Sequence, residues 1–400
     1  MKILLLVDDY FPNSIKVAAV MMHELAKELQ SQGHVVTVCT PDVTLSQKFL
    51  IDEYDGVRIL RFKLGAIKNV SKIKRAINET LLSYIAWRDL KGYFTDNKHD
   101  LVVSYSPTIF FGGLVKKLKS IWGCKTYLIL RDFFPQWAVD NDLIKDGSLI
   151  HRYFKYFEAI SYKAADIIAV QSPSNKEYFL ANDHYYEFKD KLDILYNWSD
   201  SNINIDNASE YRNKLGLEDK VVFFYGGNIG HAQDMMNIVK LAQSLSDYPQ
   251  AHFLLVGQGD EVSVILDAVN QGNIKNLTYL ESVNQQEYQK MLMEFDIGLF
   301  SLHRNHKTHN FPGKLLGYMK YSKPILGSVN VGNDLKKVIT DSGAGFVTVN
   351  GEDEILTSNA IKLLESIERR KLMGANSRTL LKNTFSVTSS AKKITGIFDR

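Results

Sequence analysis

The chain has 400 residues, 45% apolar and 23% charged, with a formal net charge of +3. That is more chain than one hydrophobic core usually organises, in the proportions of an ordinary globular protein. The small net charge argues against nucleic acid as a partner, and no run approaches the roughly twenty apolar residues of a membrane-spanning helix. Only two cysteines, Cys39 and Cys124, occur, which fits a reducing, cytoplasmic compartment.

In chain order, "KILLLVDD" reads as a buried strand. Its apolar core is too short for a secretion signal and is closed by two aspartates. "VAAVMMHELAKELQSQG" follows with apolar residues at helical spacing and a glycine stop at Gly33. The strands "HVVTVCTP", "GVRILRF", "LVVSYSP", "KTYLILRD", "DIIAVQSP" and "LDILYNW" come next, separated by helical segments. An Asn- and Asp-rich stretch at 199–216 interrupts and predicts a linker. Alternation then restarts with "VVFFYGGNIG", "AHFLLVGQGD", "NLTYLES", "DIGLFSL", "PILGSVN" and "AGFVTVN". Near-continuous apolar strands alternating with helices predict α/β architecture with parallel sheets covered on both faces. The expectation is two tandem doubly wound domains, 1–198 and 217–383, with a ligand site in a cleft at the carboxyl ends of the strands.

Several constellations could carry chemistry. Residues 297–333 contain no Asp or Glu, yet hold Arg304, Lys307, Lys314, Lys320 and Lys323 with His303, His306 and His309. Within them, "FPGKLLGYMKYSKPIL" (311–326) places Pro312 and Gly313 where a helix should begin and Lys314 in its first turn. That pattern suits a phosphate, held by free amides and a lysine point charge; it equally suits a solvated basic helix. The three histidines lack any Cys, Asp or Glu partner and lie among cations, so a metal site is not expected. The turns "YGGNIG" (225–230) and "VGQGDE" (256–261) would let backbone approach a phosphate, though neither is a full dinucleotide or Walker fingerprint.

Asp132, at a strand end in "LRDFFPQWAVDNDLIKDG" (130–147), stands where a catalytic carboxylate would sit, with Arg131 beside it to keep it ionised. A cap or structural ion pair accounts for the pair as well. "DND" at 140–142 fits turn chemistry better than metal binding. The segment 61–94 carries eight Lys or Arg against Glu79 and Asp89, with an available apolar face. It suits an anionic membrane surface, or a domain helix with a basic solvent face.

The order of "DDYFPNSIKVAAVMMHELAKELQSQGHVVTVCTPD", "RDFFPQWAVDNDLIKDG", "YGGNIGHAQDM", "FLLVGQGDE" and "FPGKLLGYMKYSKPIL" resembles that of glycosyltransferase family 4, over nearly the whole chain. The nearest likeness is to bacterial O-antigen and capsule transferases, including L-fucosamine (WbuB-like) ones. The resemblance implies a retaining, metal-independent enzyme with no cofactor, in the GT-B fold of two Rossmann-like domains. It implies a nucleotide diphosphate sugar, taken as a UDP-sugar, on the C-terminal domain. The acceptor, a polyprenyl-diphosphate-linked glycan, would lie on the N-terminal domain, with the last helix (about 384–400) returning there. Location at the inner face of the plasma membrane follows.

The chain departs from the family's pattern in three places. The usual pair of glutamates falls on His309 and Gly317. The usual diphosphate-binding Arg and Lys fall on Asn228 and Gln233, beside Gly227. The glycine pair of the first loop is replaced near Lys16 and Val17. Phosphate charge would then be met by Lys314, Arg304 or Lys16, and the ribose by Glu281 or backbone. A weakened nucleotide-sugar binder and a sugar-nucleotide 2-epimerase are the rival readings, the latter disfavoured by the acid-free stretch.

Overall fold

The computed structural model describes residues 1–14, 17–65, 71–106, 108–140, 143–203, 210–272, 274–305 and 311–399. They form two compact units, residues 1–197 with 387–400, and residues 198–386.

The first unit is built on eight strands: β1 (Lys2–Leu6), β2 (Val35–Asp42), β3 (Phe49–Tyr54), β4 (Val57–Lys63), β5 (Leu101–Tyr105), β6 (Lys125–Ile129), β7 (Ile167–Val170) and β8 (Leu192–Ile194). Their order is β3-β4-β2-β1-β5-β6-β7-β8. Every pairing is parallel except the β3–β4 hairpin. Ile3, Leu4, Leu5 and Leu6 are all inaccessible to solvent, because helices cover both faces of a parallel sheet. The helix Val17–Ser31 buries Ala19, Met21, Met22, Leu25, Ala26 and Leu29, one apolar stripe at helical spacing. It ends before Gly33, whose φ of +83° only glycine adopts freely. The final helix Val387–Thr395 packs against it, and Lys393 pairs with Asp193 at 3.2 Å. Both cysteines are buried and free.

The second unit has six parallel strands: β9 (Val221–Asn228), β10 (Ala251–Gln258), β11 (Leu277–Leu280), β12 (Ile297–Ser301), β13 (Ile325–Val329) and β14 (Gly345–Val349). The order β11-β10-β9-β12-β13-β14 reverses direction between β9 and β12. At such a reversal the loops leaving two adjacent strands diverge to opposite faces and open a crevice at the carboxyl edge. The loops after β9 and β12 are those holding "GGNIGHAQD" and "FPGK". Residues 198–203 and the short helix Tyr211–Leu215 belong to this unit. Arg212 fastens that helix through Asp296 at 2.6 Å and the Glu294 carbonyl. Much of the stretch expected as a linker is therefore packed chain.

Candidate functional site

At the reversal in the second unit, β9 passes through Tyr225, Gly226 and Gly227 to end at Asn228. The Nζ of Lys314 lies 3.3 Å from the centroid of the Tyr225 ring. A Cβ at Gly227, whose φ is +125°, would sit 3.6 Å from that nitrogen. The stem of Lys314 is partly exposed, but its Nζ is buried and has no hydrogen-bond partner among the described residues. Burial pushes the amine well below the ordinary lysine range. A charged ammonium so placed is costly, and a ring face offsets part of the cost.

Three tyrosines from three elements converge on Gly226, and one of them, Tyr225, lies under this amine. Tyr225 donates its hydroxyl to the Asn228 carbonyl, at the turn after β9. Tyr318, completely buried, donates to the Leu299 carbonyl at 2.9 Å and accepts the Gly226 N–H at 3.3 Å. Tyr288, on the helix Gln285–Glu294, fills the space above Gly226, where a Cβ would stand only 2.2 Å from its ring. Burial raises all three phenols above their usual range, so none supplies a negative charge to Lys314. Sequence reading missed these tyrosines. The one local sign was the glycine pair 226–227, which leaves room for rings from elsewhere.

The helix carrying Lys314 runs Lys314–Lys320, two turns, with Gly313 as a cap that makes no side-chain bond. Pro312 thus precedes the helix instead of opening it. The Cα–Cβ direction at Gly317 points to the helix Gln285–Glu294, 3.1 Å from Leu292 and 3.9 Å from Tyr288. Two of the expected free lysines are committed elsewhere. Lys323 donates to the Met293 carbonyl at 2.9 Å, and burial lowers it to about 8 against the pull of Asp296. Lys320 lies 3.9 Å from Asp200. The acid-free stretch is therefore less of a basic patch than its composition suggests, because acids distant in sequence fold against it.

Asn228 donates its side-chain amide to Gln233 at 2.8 Å across the loop. Arg304 is exposed beside Gly351, 3.9 Å from where a Cβ there would lie. Glu281 is exposed just past β11, two strands from β9; its neighbour Ser282 bonds Gln258 at 3.1 Å. Lys16, His306, Lys307, His309 and Asp142 lie outside the described residues. The His303 and His231 rings lie tilted with centroids 4.7 Å apart, and His231 reaches Glu261 at 3.3 Å. Among the described residues no His, Cys, Asp and Glu side chains gather as metal ligands.

Hydrogen bonds between the loops, also missed, hold them in place. Asn350, after β14, donates to Asp234 and to the Leu302 carbonyl, each at 2.9 Å. The His303 amide reaches the Ala232 carbonyl at 3.0 Å. The turns after β9, β12 and β14 are thereby tied together. Asp234 itself sits at φ +46°, a conformation asparagine and aspartate tolerate best among side-chain-bearing residues.

In the first unit Asp132 follows β6 and remains accessible to solvent. Partial desolvation raises its carboxyl above the ordinary range, and Arg131 pulls it back only in part. Arg131 thus still favours the ionised form of Asp132, against the desolvation. Two guanidinium nitrogens are bonded to the carbonyls of Leu195 and Tyr196, at 2.5 and 3.2 Å. Arg131 anchors the chain after β8, and burial lowers its pKa to about 10. Asp140 accepts bonds from Gln136 at 3.0 Å and the Tyr178 hydroxyl at 2.7 Å, a structural role.

Known proteins share this layout. Residues 18–202 match the model of Glycosyltransferase Family 4, and residues 207–380 that of Glycosyl transferases group 1. The chain is a glycosyltransferase built from these two family domains. The probable glycosyltransferase WbjE of Pseudomonas aeruginosa is 22% identical over 285 residues, 69% of this chain and 68% of that one. The putative colanic acid biosynthesis glycosyl transferase WcaI of Escherichia coli K12 is 24% identical over 335 residues, 79% and 80% of the two chains. Among solved structures, Anabaena HepE in complex with UDP superimposes with a TM-score of 0.69 at 13% identity, covering 100% of both chains. The fold of this glycosyltransferase is therefore GT-B, with the Lys314 pocket at the strand reversal of its C-terminal Rossmann-like unit.

Proposed function

We propose that this glycosyltransferase is a retaining, metal-independent enzyme that takes its sugar from a UDP-sugar and adds it to a polyprenyl-diphosphate-linked oligosaccharide. The bond from the sugar's anomeric carbon to phosphate oxygen breaks, and the acceptor hydroxyl oxygen forms the new glycosidic bond. The hydroxyl proton passes to the leaving phosphate. The departing diphosphate carries added negative charge, which fixed donors must meet. Lys314, Arg304 and the backbone amides around Gly227 are the groups this chain offers.

The observation that carries the reading is the buried amine of Lys314 at the reversal of a doubly wound sheet, unmatched by any anion among the described residues. UDP in HepE and the colanic acid role named for WcaI support the nucleotide and the pathway class. O-antigen or capsule synthesis, with N-acetyl-L-fucosamine among the candidate sugars, follows from that likeness. The inner membrane face would supply the acceptor, with the segment 61–94 as contact. Asp132, whose carboxyl desolvation holds above the ordinary range, is the acceptor-side candidate for holding or moving a proton.

The test is nucleotide diphosphate release from a panel of nucleotide sugars, with and without a membrane lipid extract. Acceptor-dependent release of UDP is expected. Release without acceptor that returns an epimer would sink the transferase reading. Gly317, where the family's glutamate is absent, favours one alternative, a nucleotide-sugar binder without turnover. Donor binding with no release under any acceptor would establish it.

A further inference from the structure

In a parallel sheet, evenly spaced backbone bonds join adjacent strands along their shared length. β9 pairs with β10 up to Asn228, and β12 pairs with β13 up to Ser301. Between β9 and β12 themselves the register holds only Phe223 with Ile297 and Phe224 with Gly298. Beyond these pairs the two strands part, and the crevice of the reversal opens. The Gly226 N–H and the Leu299 carbonyl lie just past the last pair. Buried backbone groups in such a gap need another partner.

Tyr318 closes that gap with one atom. Its hydroxyl accepts the Gly226 N–H at 3.3 Å and donates to the Leu299 carbonyl at 2.9 Å, standing in for a missing rung. The Tyr288 hydroxyl is in hydrogen-bond contact with it as well. Together these use the one donor and two acceptor positions that a phenol has. Two strand glycines make room for the rings. A Cβ at Gly298, in β12, would stand 2.3 Å from the Tyr318 ring, and one at Gly226, in β9, 2.2 Å from the Tyr288 ring. Glycine weakens a strand interior, so its use on both sides of the gap marks a required close approach.

The rung bears on Lys314. Residues 314 and 318 lie one turn apart, on one face of the same short helix. Tying the Tyr318 hydroxyl to β9 and β12 fixes that face against both strands. It thereby fixes the amine over the Tyr225 ring and beside the Gly227 turn. A misplacement of about 1 Å in a functional group can remove most of its effect. We infer that Tyr318 is a positioning residue for the donor diphosphate, whose hydroxyl sets the width of the crevice and holds Lys314 at the Gly227 turn. This rests on the role proposed above for Lys314 and adds the group that keeps it in place.

The experiment is a double-mutant cycle on UDP affinity, read by calorimetry, with Tyr318→Phe, Lys314→Met and the two combined. Tyr318→Phe keeps the ring and deletes the rung. It should weaken UDP at least about tenfold in the wild-type background. In Lys314→Met it should cost less than about twofold, since its effect passes through that lysine. The pH at which UDP affinity begins to fall should also move upward in Tyr318→Phe. The unpaired Gly226 N–H and Leu299 carbonyl draw water into the gap, which relieves the burial of the amine. If Lys314→Met binds UDP like wild type, the donor-site reading falls and takes this inference with it. If Lys314→Met is weakened but Tyr318→Phe is not, or Tyr318→Phe loses equally in both backgrounds, only the present inference is overturned. An unmoved pH onset overturns it as well. Should Tyr318→Phe fail to fold, hydrogen exchange of the Gly226 amide in the wild-type protein decides. With the rung in place that amide is as protected as those of the β9 interior and slows further with UDP. Exchange at the rate of an exposed turn, or exchange indifferent to UDP, counts against the rung.

Discussion

Lys155 and Lys314 both rest on buried tyrosine rings, and they differ in one respect. Lys155, in the first unit, lies 4.0 Å from the Tyr185 ring and pairs with Glu158 at 2.5 Å. Lys314, in the second, lies 3.3 Å from the Tyr225 ring and pairs with no carboxylate among the described residues. Each amine lies over one tyrosine ring. In the first, the Tyr185 and Tyr162 hydroxyls donate to Glu158 at 2.7 and 3.1 Å, closing the network. A closed buried network fixes a fold, whereas an open one leaves a binding capacity unspent. That contrast separates a structural cluster from a site better than residue type does.

The largest expected effect tests the closed network. Glu158→Leu removes the acceptor of both hydroxyls and strands the Lys155 ammonium. Breaking a buried pair by deleting one partner costs about 3–5 kcal/mol. Urea unfolding should show a loss of that size. A loss below about 1 kcal/mol would mean that water or a rearranged side chain replaces the carboxylate, and the contrast between the pockets would weaken.

Lys314→Met should act in the opposite sense on stability. The thioether fills similar volume without an unpaired amine, so the free protein should gain about 1–3 kcal/mol, the cost of one unsatisfied buried group. The same substitution should weaken UDP binding by a similar amount. The pH dependence follows from the direction of the shift. Burial holds the Lys314 pKa well below its ordinary value in the empty protein. An arriving diphosphate favours the ammonium, so binding takes up a proton. UDP affinity should therefore fall as pH rises between the free and bound pKa values, by up to about tenfold per unit. In the absence of ligand, the unfolded chain holds a proton that the folded one lacks. Stability should thus rise with pH from the lowered pKa up to the ordinary lysine range. Both slopes should flatten in Lys314→Met, as calorimetry in buffers of different ionisation enthalpy would show. Equal slopes in the two proteins would take the proton away from Lys314.

The strand–helix alternation was legible because each strand is a continuous apolar run and each helix repeats at its own period. Lys314 was readable as a candidate as well, since a cation just after a Pro-Gly turn is a local fact. The pocket around it was not. Tyr225, Tyr288 and Tyr318 lie on three elements and converge only through the strand reversal, and no spacing rule links them. Arg131 misled for the same reason: its partners, the carbonyls of Leu195 and Tyr196, are more than sixty positions away. Composition also overstated the basic character of 297–333, because Asp200 and the Met293 carbonyl take up Lys320 and Lys323 from outside or before that window.

Gly317 gives the smallest and most discriminating prediction. A glycine inside a helix costs roughly 0.5–1 kcal/mol relative to alanine. Its direction points at Leu292 Cδ1, 3.1 Å from a built Cβ, a contact that a flexible leucine relieves by a few tenths of an ångström. The two effects nearly offset, so Gly317→Ala should change stability by less than about 1 kcal/mol. Gly226 differs, since a Cβ there would stand 2.2 Å from the Tyr288 ring. If Gly317→Ala leaves UDP affinity unchanged, position 317 faces packing, and its missing carboxylate does not weaken the donor site. A loss of affinity with stability intact would instead mean that the glycine opens space the nucleotide uses, and Lys314 would then share its task with that opening.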